Sequence, residues 1–409
     1  MSQSKFKLVT LLGIRPDYIR MFKLIKLIDE QAKDEIEHIL VHSGQHYDEE
    51  LFGIFLKELG VREPDIDLGI GLTLKERGES NFALQTGLLD ERLYNMLGEV
   101  KPDAVMYLGD TNTVLSSIVV ARLGIPVIHL EAGGRSFDWR MPEEKCRIVI
   151  DHLSDALYSY LPRYKENLLA EGIADFRVTH IGNIIVDAVD AFMPKVEASN
   201  ILNELGVEAK KFIVITLHRE ENTTNEEILK RKLTEIGQFA KEKGMPVVFP
   251  LMPRVRAILE KANLMHLVEN DQFIITKPLG FFDFMRLEKE ARLIVSDSGT
   301  VQEEGLILGA PTVIARQSTE RPETIWAGAT ILQQEERDGR LTECMHEAWD
   351  MPTDWDRNIL NPDGGSPSER VLEDLLKKIE EEYFKKSRSY ETIKDNKFVR
   401  RAYGKEQED

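Results

Sequence analysis

The chain has 409 residues, which exceeds one ordinary hydrophobic core and favours two domains. Its composition, 42% hydrophobic and 30% charged, is typical of a globular protein, and no apolar run approaches the ~20 residues of a membrane span. The net charge of −18 argues against a nucleic-acid partner.

Strand-like and helix-like segments alternate along the N-terminal half. Residues 1–7 show no signal-peptide pattern, and two cysteines are too few for a disulfide framework or a metal cluster, so we expect a cytoplasmic location and no metal. The predicted elements are strands at Lys7–Leu12, Ile39–His42, Ala104–Leu108 and Pro126–Leu130, a helix through Leu27, a helix at Thr113–Leu123, a helix and a strand within Ile148–Tyr160, and a strand ending at Gly182. This alternation predicts a parallel, doubly wound sheet.

The same pattern restarts in the second half. The predicted elements are strands at Phe212–Thr216, Pro246–Phe249, Phe273–Thr276, Leu293–Ser296 and Pro311–Ala315, and a helix at Glu226–Lys243. We therefore predict two Rossmann-like domains, residues 1–187 and 188–368, with a ligand-binding cleft between them. A helix at Glu369–Phe384 and a charged tail complete the chain, and residues 369–409 are expected to pack back on the N-terminal domain or to contact another subunit.

Polar residues follow six predicted strands, at the sheet edge where ligands bind in such folds. The segments are Gly13–Asp17, Gly44–Tyr47, Gly109–Thr113, Glu131–Arg135, His218–Asn222 and Asp297–Gly299. Each has a plain structural interpretation: a surface cation for Arg15, a helix cap for Asp110, a solvated carboxylate for Glu131 and a satisfied histidine for His218. Polar segments at the ends of six different predicted strands are more easily explained by a binding site than by six independent structural roles.

The segment Asp297–Gly305 lies between a short apolar strand and a helix. Such a turn presents free backbone N–H groups to an anion, and Glu303 and Glu304 follow at a distance suited to sugar hydroxyls, which together suggest a nucleotide-sugar diphosphate. The alternative is an ordinary helix capped by Ser298 with solvated carboxylates. Arg321, after the last predicted strand, is placed to pair with a diphosphate or with Glu323.

These segments resemble the motifs of the non-hydrolysing UDP-N-acetylglucosamine 2-epimerases. The matches run in family order over about residues 8–370: Gly13–Asp17, Ser43–His46, Gly109–Thr113, His129–Arg135, Pro142–Glu144, Gly182–Asn183, Leu217–Asn222, Pro278–Gly280, Asp297–Gly299, Gln302–Glu304 and Thr319–Glu323. The resemblance implies a GT-B-like arrangement of the two Rossmann-like domains around a central cleft, a homodimer, and no cofactor.

The implied reaction converts UDP-N-acetylglucosamine to UDP-N-acetylmannosamine, a precursor for surface polysaccharides. UDP is eliminated across C1–C2 and added back with the proton on the other face, which needs an acid, a base and stabilisation of the leaving diphosphate. By resemblance, the catalytic residues are Asp110, Glu131, Glu143 and His218. The substrate-binding residues are Arg15, Gln45, His46, Arg135, Arg254, Phe281, Ser298, Gly299, Glu304 and Arg321, although Phe281 is equally suited to core packing.

The chain departs from the family at several places. Met252 stands where members activated by a second substrate molecule have histidine, and Gly134 stands where leucine or asparagine is commoner. The Gly109–Thr113 motif and the stretch Arg135–Glu143 look closer to relatives that epimerise UDP-linked 6-deoxy or diacetamido sugars. The alternatives are therefore such a sugar, the hydrolysing branch that releases UDP and N-acetylmannosamine, glycosyl transfer on a shared fold, and a non-catalytic UDP-sugar sensor.

Overall fold

The computed structural model describes residues 4–44, 49–79, 81–334 and 340–386. The chain folds into two units: unit 1 takes in the residues up to Ala188 and those from Asn361 onward, and unit 2 comprises Val189–Leu360. The first division lies one residue from the expected boundary, and the return to unit 1 comes eight residues before residue 369. Within the described ranges, no helix is both long and apolar enough to cross a bilayer.

Unit 1 holds a seven-stranded parallel sheet in the order β3-β2-β1-β4-β5-β6-β7. Its strands are β1 Phe6–Leu12, β2 Ile36–His42, β3 Ile66–Asp67, β4 Ala104–Leu108, β5 Val127–Leu130, β6 Ala156–Ser159 and β7 Val178–His180. The helices that alternate with them are α1 Arg15–Gln31, α2 Glu49–Leu59, α3 Ile70–Glu76, α4 Phe82–Val100, α5 Ser117–Arg122, α6 Pro142–Leu153 and α7 Pro162–Ala170. The next helix, α8 Ile185–Glu197, begins in unit 1 and continues into unit 2.

Unit 2 holds a six-stranded parallel sheet in the order β10-β9-β8-β11-β12-β13. Its strands are β8 Ile213–Thr216, β9 Val247–Pro250, β10 Phe273–Thr276, β11 Leu293–Ser296, β12 Thr312–Ile314 and β13 Thr330–Leu332. Its helices are α9 Ile201–Leu205, α10 Glu220–Thr223, α11 Glu226–Lys243, α12 Pro253–Lys261, α13 Phe281–Glu290, α14 Gly299–Leu308, α15 Pro322–Trp326 and α16 Leu341–Trp349.

Two further helices, α17 Pro367–Glu380 and α18 Tyr383–Lys386, belong to unit 1. α17 packs against α1, the Ser368 backbone N–H donates to the Asp187 carboxylate at 2.8 Å, and Arg370 Nε donates to the Ile181 carbonyl at 2.6 Å. The predicted single helix Glu369–Phe384 is therefore two helices. Nearly all of the charged tail, residues 387–409, lies outside the described residues.

The α/β class is confirmed, because both sheets are parallel and helices alternate with their strands. Every residue of β4 is buried, as expected for parallel strands covered by helices on both faces. Further details differ from the prediction, which did not include β3. The helix predicted at Thr113–Leu123 starts as a 3-10 turn at Asn112–Ser116 before α5, and β13 follows the strand that was predicted to be last.

Each sheet reverses its strand order at one point, between β1 and β4 in unit 1 and between β8 and β11 in unit 2. The carboxyl ends of the strands beside such a reversal are where open α/β sheets bind ligands. Gly13 and Gly109 follow the first pair, whereas Leu217 and Asp297 follow the second. The polar motifs found in the sequence therefore stand at the two places where a ligand is expected.

Candidate active site

Glu131 is the most constrained carboxylate at the sheet reversal of unit 1. It follows β5 with φ 70°, a left-handed conformation that non-glycine residues seldom adopt. Its side chain is buried and accepts a hydrogen bond from the Arg20 guanidinium, which also donates to Asp17 at 3.0 Å. The interpretation of Glu131 as a solvated carboxylate is therefore wrong. An unusual backbone conformation around a buried charge is characteristic of functional positions.

Asp17 holds the turn between β1 and α1. Its carboxylate accepts from the backbone N–H groups of Gly13 at 3.0 Å and Ile14 at 3.1 Å. Burial raises the pKa of Asp17, and the charge of Arg20 and the two backbone hydrogen bonds offset part of that rise. The Arg20 guanidinium thus lies between the carboxylates of Asp17 and Glu131. Because Asp17 belongs to the first turn of α1, this turn helps to orient Arg20 towards Glu131.

Asp110 is joined to α6 through Arg147. The buried Arg147 guanidinium donates to both the Asp110 and the Glu144 carboxylates. Glu144 also accepts from the Ser136 hydroxyl at 2.8 Å and from the Phe137 backbone N–H at 2.9 Å, which holds the loop before α6. Glu144 is therefore used in the structure of the loop, whereas Asp110 keeps a partly exposed side chain, 23% accessible.

Glu143 lies at the N-terminal end of α6 and is half-buried. Burial raises the pKa of the Cys146 thiol to about 12, and the negative charges of Asp110 and Glu143 add to this rise. The charges of Asp110 and Glu143, two of the predicted catalytic carboxylates, therefore both raise the pKa of the same buried thiol. Glu131 faces the backbone of Gly109, the residue before Asp110, because a Cβ atom on Gly109 would stand 3.5 Å from the Glu131 Oε2 atom.

A buried network behind these carboxylates joins β4, β5 and α6. His129 lies 2.7 Å from the Asp151 carboxylate through Nδ1 and 2.8 Å from the Gly109 carbonyl through Nε2. These two contacts fix the orientation of the buried His129 ring between β4 and α6. Burial alone would raise the pKa of Asp151, but the hydrogen bonds and charges of His129 and Arg135 outweigh it and hold that pKa below its usual range.

Arg135 belongs to this network. Its guanidinium is buried, with Nη1 2.7 Å from Asp151 and Nη2 2.6 Å from Glu171. The structure therefore places Arg135 as a support for the Glu131–Gly134 turn. Arg15, by contrast, is half-buried at the start of α1, with its guanidinium 5.9 Å from the centre of the Phe55 ring. The predicted substrate contacts Gln45 and His46 lie outside the described residues.

In unit 2, Asp297 organises the turn after β8. Its buried carboxylate accepts from the backbone N–H groups of His218 at 3.0 Å and Arg219 at 2.9 Å, and from the Asn222 side chain at 2.8 Å. His218 Nδ1 lies 3.2 Å from the same carboxylate, and the His218 side chain remains 45% exposed. Asp297 thus orients a histidine that can still reach a ligand.

A buried lysine lies behind this turn. Lys232 Nζ, on α11, donates to the Asn222 side chain and to the Ala315 carbonyl, the latter at 2.6 Å. Burial lowers the pKa of Lys232 to about 8, although the nearby carboxylates of Asp297 and Glu221 oppose that shift. Lys232 therefore supports the His218 turn through Asn222.

The Ser298–Gly299 turn opens α14, as predicted. Ser298 occupies the N-cap position, yet its side chain makes no capping hydrogen bond and lies 3.2 Å from the Thr300 hydroxyl instead. The first-turn N–H groups of α14 are thus not satisfied by the Ser298 side chain, which favours the anion seat over the side-chain cap. Gly299 allows the Glu320 carboxylate to approach closely, because a Cβ atom there would stand 2.6 Å from it and would displace it.

Glu303 and Glu304 are both buried, so the interpretation of either as a solvated carboxylate is wrong. Glu303 pairs with the buried Arg321, whose Nε lies 2.8 Å from Oε1. Glu304 lies on the side of α14 that packs against α13, where its charge acts on the buried carboxyl group of Glu288. Arg321, predicted to meet a diphosphate or Glu323, thus has Glu303 as an ion-pair partner.

Two predicted substrate contacts lie at other helix starts of unit 2. Phe281 is half-buried at the start of α13 and packs edge-to-face on Phe192, with 5.8 Å between ring centres. Arg254 is exposed in the first turn of α12. Packing accounts for much of the position of Phe281.

Several residues that complete these arrangements lie outside the sequence motifs, namely Arg20, Asp151, Lys232 and Glu288. Arg20 carried a usable signal, because it stands one helical turn after Asp17 in the segment that follows the first strand. Glu288 carried none, since a single glutamate in a polar helix is ordinarily solvated.

Comparisons with known proteins agree with these motifs. The family described as UDP-N-acetylglucosamine 2-epimerase matches residues 29–370. The UDP-N-acetylglucosamine 2-epimerase of Methanococcus maripaludis is 35% identical over 91% of this chain and 98% of its own length. The UDP-2,3-diacetamido-2,3-dideoxy-D-glucuronate 2-epimerase of Pseudomonas aeruginosa is 32% identical over 91% of this chain and 99% of its own.

A solved structure shows the same similarity. The Methanocaldococcus jannaschii UDP-GlcNAc 2-epimerase, crystallised with UDP-GlcNAc and UDP, superposes with a TM-score of 0.82 at 34% identity, covering 91% of this chain and 99% of that one. Such solved relatives are GT-B-like, as expected for this fold class. Because the family match spans most of the chain and the relatives align along nearly their whole length, the chain belongs to the UDP-N-acetylglucosamine 2-epimerase family.

Proposed function

We propose that this protein is a non-hydrolysing UDP-sugar 2-epimerase that interconverts UDP-N-acetylglucosamine and UDP-N-acetylmannosamine. The observation that carries the proposal is the buried Arg20–Glu131 pair at the sheet reversal of unit 1, with Glu131 in a left-handed backbone conformation. Binding a nucleotide sugar does not require a carboxylate held in this way, whereas moving a proton at C2 does. This argues against a UDP-sugar sensor.

The proposed chemistry is an elimination followed by an addition. A carboxylate removes the C2 proton, the electron pair forms the C1=C2 double bond, and the C1–oxygen bond breaks to release UDP within the site. Re-addition of UDP at C1, with a proton delivered to the opposite face of C2, gives the epimer. Glu131, Asp110 and Glu143 are the proposed acid and base groups.

Unit 2 supplies the nucleotide-holding groups in this proposal. The start of α14 at Ser298–Gly299 seats a phosphate on backbone N–H groups, and Glu304 accepts from the ribose hydroxyls. His218, partly exposed and oriented by Asp297, stabilises the leaving diphosphate. We assign Arg15 and Arg254 to charge stabilisation as well. Arg135 and Arg321 act indirectly, by positioning the turns around Glu131 and Glu303.

A UDP-linked diacetamido sugar is the second candidate substrate. The observation in its favour is the Pseudomonas aeruginosa diacetamido-sugar 2-epimerase, which aligns with 91% of this chain. The motif stretch Arg135–Glu143 also resembles that branch. The reaction class is the same for both substrates, so the choice between them concerns the sugar alone.

The experiment is to incubate the purified protein with UDP-N-acetylglucosamine in D2O and to follow the products by NMR. We expect a UDP-linked product with deuterium at C2. Free N-acetylmannosamine would show instead a hydrolysing enzyme. No turnover of this sugar, together with turnover of a UDP-linked diacetamido sugar, would move the substrate to the second candidate. No turnover of either would contradict the proposal.

We also propose a homodimer. Exposed apolar or aromatic side chains are concentrated on α3, α4 and α5 of unit 1, which pack against one another: Leu72, Phe82, Leu84, Tyr94 and Ile118. Such a concentration is typical of a surface covered by another copy of the chain. Light scattering of the wild type and of Tyr94→Lys tests this assignment, and an unchanged mass in the variant would contradict the interface.

We also propose that the protein makes polysaccharide precursors in the cytoplasm. Its two cysteines are free thiols, which suits that compartment.

A further inference from the structure

Glu288, on the inner side of α13, has an environment unlike that of any ordinary surface glutamate. Its side chain is completely buried. Among the described residues, no backbone or side-chain N–H group donates to either of its carboxyl oxygens, and α13 packs against α14, which brings the carboxyl group of Glu304 close enough to act on it. Two carboxyl groups therefore meet inside unit 2, with one of them at the position proposed to hold the ribose.

The cations near α13 are directed elsewhere. Arg286 lies 3.5 Å from Glu290, and Lys289 lies 2.7 Å from Glu197. On α14, the neighbouring Glu303 is paired with Arg321, while α9 presents the apolar Ile201 to the core beneath α13. Within the described part of unit 2, the charged group that acts on Glu288 is thus Glu304 alone.

Two carboxylates in contact inside a protein cannot both ionise near neutral pH, because each charge disfavours the other and burial disfavours both. Burial raises the pKa of Glu288 well above its usual range, and the charge of Glu304 raises it further. Glu288 is 0% exposed and Glu304 is 6% exposed, so Glu288 is the better site for the shared proton. A carboxylic acid kept neutral by an apolar site can donate a hydrogen bond at neutral pH.

We propose that Glu288 is a positioning residue that, as a neutral acid, donates a hydrogen bond to Glu304 and holds that carboxylate ready to accept the ribose hydroxyls of a UDP-sugar. This inference rests on the proposed function and adds to it. Glu304 keeps its full negative charge and one fixed direction, because its neighbour supplies the proton. The ordering of Glu304 is then complete before the nucleotide arrives, which strengthens binding without any contact between Glu288 and substrate.

Two substitutions separate this role from simple packing. Glu288→Gln retains an N–H donor for Glu304, and we expect its UDP dissociation constant to stay within about threefold of wild type. Glu288→Leu retains the volume but removes the donor, and we expect a loss of about tenfold in UDP affinity, with KM raised and kcat nearly unchanged. Isothermal titration with UDP gives the affinity, and circular dichroism confirms that each variant is folded.

The pH dependence of UDP binding gives a second readout. As the pH rises through the raised pKa of Glu288, this side chain ionises in the wild type, the donor is lost and UDP affinity falls. The glutamine side chain of Glu288→Gln does not ionise, so the UDP affinity of this variant should stay constant over the pH range in which that of the wild type falls. Asp90→Asn is the matched control: burial also raises the pKa of Asp90, which lies on α4 of unit 1, and its substitution should leave the pH dependence unchanged.

The outcomes distinguish this inference from the proposed function. A wild-type protein that binds no UDP and epimerises no UDP-sugar would overturn both. If the wild type binds and turns over substrate while Glu288→Leu retains its affinity, the positioning role alone is wrong. If Glu288→Leu does not fold, the pH dependence of UDP binding still tests the inference. A Glu288→Gln variant with the same pH dependence as the wild type would overturn it.

Discussion

The Arg20 guanidinium on α1 donates a hydrogen bond to the Glu131 carboxylate after β5, across 111 positions of sequence. Both side chains are buried, so each offsets part of the cost of burying the charge of the other. The pair stands where β1 and β4 meet and the strand order reverses. It ties one of the proposed acid/base carboxylates to the first helix of the chain.

Glu131→Gln tests the proposed acid/base role directly. The amide keeps the size of the side chain but cannot take up a proton, so we expect turnover to fall by ~10²–10⁴-fold. UDP binding should persist, since the nucleotide groups lie in unit 2. An NMR epimerase assay and calorimetry with UDP measure the two effects. The control is Glu166→Gln, an exposed carboxylate on α7; equal activity in both variants would contradict the role.

Gly109→Ala tests the close packing around the same pair. A Cβ atom at Gly109 would stand 3.2 Å from Arg20 Nη2, and the residue has φ 72°. We expect a loss of about 1–2 kcal/mol in the free energy of unfolding, and reduced kcat because Arg20 must shift. Gly78→Ala is the matched control, since Gly78 has φ 69° and nothing within 4 Å of the added atom.

Both variants carry the backbone strain, but Gly109→Ala alone disturbs Arg20. Urea unfolding and kcat should therefore separate them. If both alanine variants lose stability equally and both retain full kcat, the contact with Arg20 has no part in catalysis.

Asp151→Asn tests the buried network behind the site. The substitution leaves Arg135 and His129 without their shared charge partner, and we expect the free energy of unfolding at neutral pH to fall by about 3–5 kcal/mol. Asp175→Asn, at a carboxylate that is 71% exposed, should change it little. Urea unfolding at pH 7 measures both variants. A loss no larger than that of the control would contradict the network.

Asp151 also predicts how the free energy of unfolding changes at acidic pH. The pKa of Asp151 is lower in the folded protein than its ordinary value of 3.8, so its stabilisation is present above that value and is lost as the pH falls through the folded pKa. Wild type should therefore lose more stability than Asp151→Asn on acidification below about pH 4.

Lys232 predicts a pH effect of the same sign in the alkaline range. Its pKa falls to about 8 in the folded protein from an ordinary value of 10.5. Between those values the folded chain has lost a proton that the unfolded chain still binds, so the free energy of unfolding rises with pH in that window. Relative to Lys232→Gln, wild type should gain roughly 1–3 kcal/mol across it. Urea unfolding of both proteins at pH 7.5 and 10 checks the sign, and a constant difference would contradict it.

Elements with strong local signals agree closely with the structure. The helix Glu226–Lys243 and the strands Phe273–Thr276 and Leu293–Ser296 have their predicted bounds. Asn225 caps that helix by accepting from the backbone N–H groups of Glu227 and Ile228, and Gly244 ends it with φ 63°. Where such signals are weak, the prediction was incomplete. β13 is a three-residue strand at the edge of its sheet, too short to show a period.

The sequence alone was enough to predict the α/β class, the polar segments at the strand ends and the family resemblance. Strand hydrophobicity, helix caps and motif spacing are local properties of the chain. Only the tertiary structure decided which groups meet. Arg20 reaches Glu131, Arg147 reaches Asp110 and Glu288 reaches Glu304 because the order of parallel strands and the packing of helices bring distant positions together. Burial, also a tertiary property, then decides which of these charges persist and where a proton is held.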